Sequence, residues 1–172
     1  MKRTQIEPGE IHDFYLNYIN LTSEEESLVT LLNSNKSEIV SFFEAIPAEK
    51  WMYRYAPEKW SILEVLQHLI DTERIFQYRA LSFARNDVNS LPGYDHNAYV
   101  PISKAENRSA TDLISEFKIV RDSGIALFKS FDEEMLLRRG SMNNSQASPR
   151  AIGFIIAGHG LHHRNILTDR YL

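Results

Sequence analysis

The sequence predicts an all-α protein, a four-helix bundle with a long crossover connection between its second and third helices. Four segments repeat apolar residues at three- and four-residue steps, and none shows sustained strand alternation. Helix-start signals precede several of these segments. Residues 87–108 form a connection much longer than a tight helix–helix turn, and such a connection can cross the bundle end and leave neighbouring helices parallel.

The first helix is expected over about 23–46. Leu28, Leu31, Leu32, Ile39, Phe42, Phe43 and Ile46 form its stripe, Ser23 with Glu26 suggests a capping box, and Pro47 ends it. The second, about 61–86, has the clearest start: Ser61 and Glu64 make a capping box, with Trp60 and Val65 placed for a hydrophobic staple. The third should span about 111–131, with Leu113, Phe117, Val120, Leu127 and Phe128 inward and Gly124 on the same seam. The fourth, about 149–170, starts with Ser148 as N-cap and Pro149 at the first helical position, where its missing N–H costs nothing. The connection 87–108, with Pro92, Gly93, Tyr94, Asp95 and Tyr99, reads as an ordered loop.

Composition narrows the function. The 172 residues fit one domain, 1–172, with 43% hydrophobic and 24% charged residues. Net charge is −4 with acids and bases interspersed, and Arg138–Arg139 is only a pair, so no footprint for nucleic acid exists. No apolar run approaches a membrane span, and the N-terminus lacks the apolar stretch of a secretory signal, so a cytoplasmic location is expected. There is no cysteine, so a metal site must use His, Asp or Glu.

The histidines are the chemical signal. His159 and His163, four residues apart, share a helix face with Ile156, Leu167 and the stem of Arg170, close enough to hold one ion. His68 lies on the second helix in the stripe of Val65, Thr72 and Ile75, where it can reach across to the pair. Three imidazoles leave a coordination position open for water or substrate. A lone helix histidine is more often a hydrogen-bonded core residue, and His162, three residues after His159, could replace His163 as a ligand. The face shared with Ile156 and Leu167 favours His163 and leaves His162 at the flank. The run H-G-L-H-H lacks the glutamate of the zinc-protease H-E-x-x-H, which excludes that reading.

The stretches KWSILEVLQHLIDTERIFQYRAL, LPGYDHNAYV and AGHGLHHRNILTDRYL, in order across roughly 25–172, resemble the DinB-like superfamily and its YfiT-type thiol transferases. The resemblance implies metal ligands at His68, His159 and His163, a divalent ion at one end of a crossed bundle, and a homodimer. Zinc or nickel are the first expectations for the ion, with iron or manganese compatible. It further implies a low-molecular-weight thiol, activated at the metal, attacking a small-molecule electrophile. Metal-dependent hydrolysis is the second option, and a non-catalytic metal- or ligand-binding bundle the alternative. His96 stands where the family often places an acidic residue.

Around this set, Glu64 and Asp71 flank the His68 stripe and are candidates to hold its second ring nitrogen, against a reading as solvent-facing charges. Tyr94, Asp95 and Tyr99 are candidates to cover the pocket mouth or to fix the loop. Arg74, Arg79 and Arg85 could meet an anionic substrate, although a solvated or dimer-facing stripe is the expectation. Trp51 and Trp60 read as core and staple residues.

Overall fold

A computed structural model describes residues 1–172. Its elements are α1 (Leu16–Ile19), α2 (Leu28–Glu44), α3 (Ile62–Ala84), α4 (His96–Ser103), α5 (Ala110–Lys129), α6 (Glu133–Leu137), the strands β1 (Gly140–Met142) and β2 (Ser145–Ala147), and α7 (Pro149–Arg170). Short 3-10 turns punctuate the N-terminal segment and the connections.

The four long helices form the bundle. Helix α3 packs on α5 and α7, and α2 packs on the same two, so the sequence neighbours α2 and α3 stand diagonally opposite. Helix directions follow from the registers. Gln67 and Arg74 of α3 meet Arg108 and Glu116 around the start of α5, so these two helices run parallel. The Tyr171 hydroxyl donates to Trp60 O, which joins the end of α7 to the start of α3 and makes that pair antiparallel. The long connection between α3 and α5 is therefore a true crossover, as its length suggested.

Local signals explain the element bounds. Ser61 Oγ accepts from Glu64 N while Glu64 Oε2 accepts from Ser61 N at 2.8 Å, so the capping box sets the start of α3. Ser148 caps α7 through Ala151 N, with Pro149 following. Helix α2 corrects the expectation from sequence, because its cap is Ser27 and its first residue is Leu28. Ser23 Oγ instead accepts from Glu25 N and Glu26 N in a local turn. Ion pairs Lys2–Glu25 and Arg3–Glu24 draw that turn toward the N-terminal segment. The connection after α3 also holds more order than a loop: Asp95 Oδ1 caps α4 through Asn97 N and Ala98 N. The β1–β2 hairpin turns at Asn143 and Asn144, both with positive φ (49° and 59°), and is tied to the connection by Asn143 N donating to Leu91 O.

The core comprises two apolar clusters, one toward each end of the bundle. Each long helix crosses between them at a buried polar residue: Asn35, Glu73, Arg121 and His159. Arg121 makes a two-bond fork to Glu73 at 2.8 and 2.9 Å and donates to Asn35 Oδ1, while Asn35 Nδ2 donates to Ala157 O of α7. Burying these charges is tolerable because every donor and acceptor in the layer has its partner.

Candidate metal centre

Three imidazoles meet where α3 and α7 cross this polar layer. The antiparallel register sets His68, seventh in α3, against His159 and His163, which are one turn apart on α7. His159 Nε2 stands 3.2 Å from His68 Nε2 and 3.0 Å from His163 Nε2, and all three atoms lie within 4.8 Å of one another. Nitrogens held tetrahedrally at ~2.0–2.1 Å from one zinc ion would stand roughly 3.3 Å apart, so the spacing suits a shared divalent cation. The donor set also fits chemically, since three neutral imidazoles can all present an Nε2 lone pair to one cation.

Electrostatics keep the rings neutral. Burial pushes His68 down to about 3, with His96 and His162 adding repulsion. His159 and His163 are also held well below the ordinary imidazole value, first by burial and then by neighbouring histidines. All three are neutral at pH 7, as coordination requires.

The second nitrogen of His68 fixes its orientation. Thr72 Oγ1, one turn further along α3, lies 3.3 Å from His68 Nδ1 and 2.5 Å from the Tyr94 hydroxyl. With a cation at Nε2 the ring proton would sit on Nδ1, so His68 would donate to Thr72, whose hydroxyl shares a second hydrogen bond with the Tyr94 hydroxyl. The expectation for Glu64 and Asp71 is corrected here. Glu64 is spent on the capping box and an ion pair with Arg54, and Asp71 accepts from Gln67. Thr72 is missed by a search for charged partners, yet its i+4 spacing from His68 was legible. Glu73 turns away from His68 to Arg121.

A cavity of about 450 Å³ opens beside the three rings. Its aromatic wall comes from Phe14, Tyr15 and Tyr18 of the N-terminal segment, to which sequence reading gave no role. The Tyr18 ring stands edge-on to His159 and His162, with centroids 5.4 and 5.1 Å away. His162 lines the cavity outside the three-nitrogen cluster, on the flank. His96, the first residue of α4, also lines it, exposed, 5.6 Å from the His68 ring. Trp60 stacks obliquely on His68 at 4.8 Å, so it joins the site.

The loop candidates divide by role. Tyr94 enters the cavity, Asp95 caps α4, and Tyr99 lies on the outer face against Tyr94. The arginines divide too. Arg74 pairs with Glu116, and Arg85 lies over Phe131. Arg79 departs from the expected solvated stripe, because it is only 4% exposed and lines the cavity.

The family model of the DinB superfamily matches residues 31–167. Among solved structures, YfiT from Bacillus subtilis, described as a probable metal-dependent hydrolase with an unusual four-helix bundle topology, superposes with a TM-score of 0.72. It shares 13% sequence identity, over 85% of each chain. No curated protein matches the sequence significantly.

Proposed function

We propose that this chain, which belongs to the DinB superfamily, holds one divalent metal ion on the Nε2 atoms of His68, His159 and His163 and acts as an enzyme on a small molecule. The observation that carries the reading is the convergence of three neutral imidazole nitrogens at 3.0–3.2 Å on the wall of a cavity. When bound, the ion supplies the positive charge that lowers the pKa of a nucleophile and polarises an electrophile.

The chain's own residues do the rest. Thr72 and Tyr94 hold His68 in the required tautomer. Trp60, Tyr18 and Phe76 exclude water around the site. His96 and His162 line the cavity without entering the cluster and take up the proton that the nucleophile releases. The nucleophile is either water, giving hydrolysis, or a low-molecular-weight thiol, giving transfer. The chain has no cysteine, so any thiol comes from outside. The description of YfiT as a probable hydrolase makes activated esters and amides the first substrates to try.

Elemental analysis of protein purified without a metal-binding tag tests the proposal. About one ion per chain is expected, lost in His68→Ala and His163→Ala while helical circular dichroism persists. A wild-type protein that carries no ion, and takes none up on dialysis against zinc or nickel, overturns it.

A further inference from the structure

Arg79 is the one charged side chain in the cavity wall that has no charge to answer it. The guanidinium is 4% exposed and makes no salt bridge. Its hydrogen bond runs from Nη2 to Pro92 O at 2.8 Å. No fully buried side-chain nitrogen in the molecule lacks a partner, so the remaining donors of Arg79 keep contact with solvent, and the residue lines the cavity. The other two buried arginines of the bundle, Arg121 and Arg150, each hold a carboxylate in a two-bond fork, to Glu73 and Glu10. A buried cation left without such a partner is costly unless a ligand supplies one.

The cavity wall contains no aspartate or glutamate. Its histidines are neutral where burial is deep, and a divalent ion would add two further positive charges. The space is thus electropositive, bounded by aromatic rings, with a fork-shaped donor at a distance from the imidazoles. His68, Thr72, Phe76 and Arg79 climb one face of α3 at steps of four, four and three residues, which at ~1.5 Å per residue sets the Cα atoms of His68 and Arg79 roughly 16 Å apart. The Arg79 guanidinium also lies over Phe76, with its carbon 5.5 Å from the ring centroid, which fixes the direction of the fork.

We propose that Arg79 is a carboxylate-binding subsite, so that the cavity accepts an organic acid whose apolar body lies along Tyr15, Tyr18 and Phe76 and whose other end reaches the three histidines. A planar carboxylate matches a single guanidinium in charge and geometry, whereas a phosphate dianion calls for more cationic donors than this end of the cavity offers. The part of the proposal that places the reacting end at the histidines rests on the metal reading above; the subsite itself does not.

The probe pair is 3-phenylpropionate and its uncharged amide, with binding measured by calorimetry on full-length protein. Measurements on protein stripped of metal and then dialysed free of the chelator, where no ion can capture the carboxylate and no chelator carboxylate competes, isolate Arg79. The acid is expected to bind ten- to a hundredfold more tightly than the amide, about the value of a hydrogen-bonded charge. Arg79→Gln should bring the two affinities together, chiefly by weakening the acid, and Arg79→Lys should restore part of the preference. Inorganic phosphate, with charge but no apolar body, should compete at least about tenfold more weakly. Equal affinity of acid and amide for wild type, or an acid preference that survives Arg79→Gln, overturns the subsite, as does phosphate competing as well as the acid. The wild-type comparison needs no variant to fold. A failure of the metal reading leaves the acid preference of the metal-stripped protein intact, so the two ideas fail separately.

Discussion

A single hydroxyl shows how far the site depends on its support. Thr72 is buried, and it joins His68 Nδ1 on one side to the Tyr94 hydroxyl on the other. Thr72→Val keeps the shape but removes the acceptor for the His68 Nδ1 proton, so the ring is free to take the wrong tautomer or to turn. Partners of metal-binding histidines typically contribute about ten- to a hundredfold in affinity, and a loss of that size is expected for this variant. Tyr94→Phe leaves Thr72 able to accept from His68 and should lose less, about two- to tenfold, the range of one net hydrogen bond. Titration against a chromophoric chelator measures both. If the two variants lose equally, the Tyr94 hydroxyl rather than Thr72 is what orients the ring.

Among the elements, α1 lies close against α7, and glycine decides how closely. A Cβ built on Gly158 would overlap the carbonyl of Tyr18, so α1 reaches α7 only because that position has no side chain. At Gly160, two residues on, a Cβ would meet Ile39 at 3.4 and 3.5 Å, which is ordinary contact. Gly158→Ala should therefore push α1 and its Tyr18 ring off His159 and His162, costing about 1–3 kcal/mol. Gly160→Ala should be neutral or stabilising by up to about 1 kcal/mol, since alanine favours the helix. Urea unfolding of the two variants checks this, and equal destabilisation would show that the α1 contact is not what Gly158 serves. The pair also marks what was legible. Ser61 with Glu64, and Ser148 with Pro149, carry their helix starts in local backbone chemistry, so α3, α7 and the three histidines on them could be read directly. The start of α2 could not, because Ser23 and Ser27 are both good caps, and ion pairs to Lys2 and Arg3 from far along the chain decide between them. Nor could α1, four residues long, whose presence depends on the opposing glycine. The burial of Arg79 was hidden for the same reason, since it is set by Pro92 and Tyr15, which come from the crossover and the N-terminal segment.

Taken as a whole, the molecule keeps neutral imidazoles in the middle of its core, and this governs its response to acid. In the unfolded chain these groups have the ordinary value of 6.5, whereas burial holds His68 at about 3 and His159 and His163 well below 6.5 when folded. As pH falls through 6.5, the unfolded state takes up protons that the folded state refuses, so stability declines, by up to about 1.4 kcal/mol per pH unit for each group. Glu10 acts later. Burial pushes its carboxyl up, but the hydrogen bonds from Arg150, Glu7 N and Ser148 and the charge of Arg150 outweigh it and hold the group at about 2. Its contribution is present above the ordinary value of 4.5 and disappears only as pH falls from there toward 2. The metal-free protein should thus weaken steeply between pH 6.5 and 5, before Glu10 protonates. A divalent ion that binds only the folded state adds about 2.7 kcal/mol at a hundredfold excess over its Kd, and should move the acid transition downward. Thermal unfolding at pH 7, 6 and 5, in chelator and in zinc, measures this, with His159→Gln expected to flatten the chelator curve. Were the melting temperature in chelator the same at pH 7 and 5, the folded imidazoles would have kept their ordinary pKa, and water would have to reach them through the cavity.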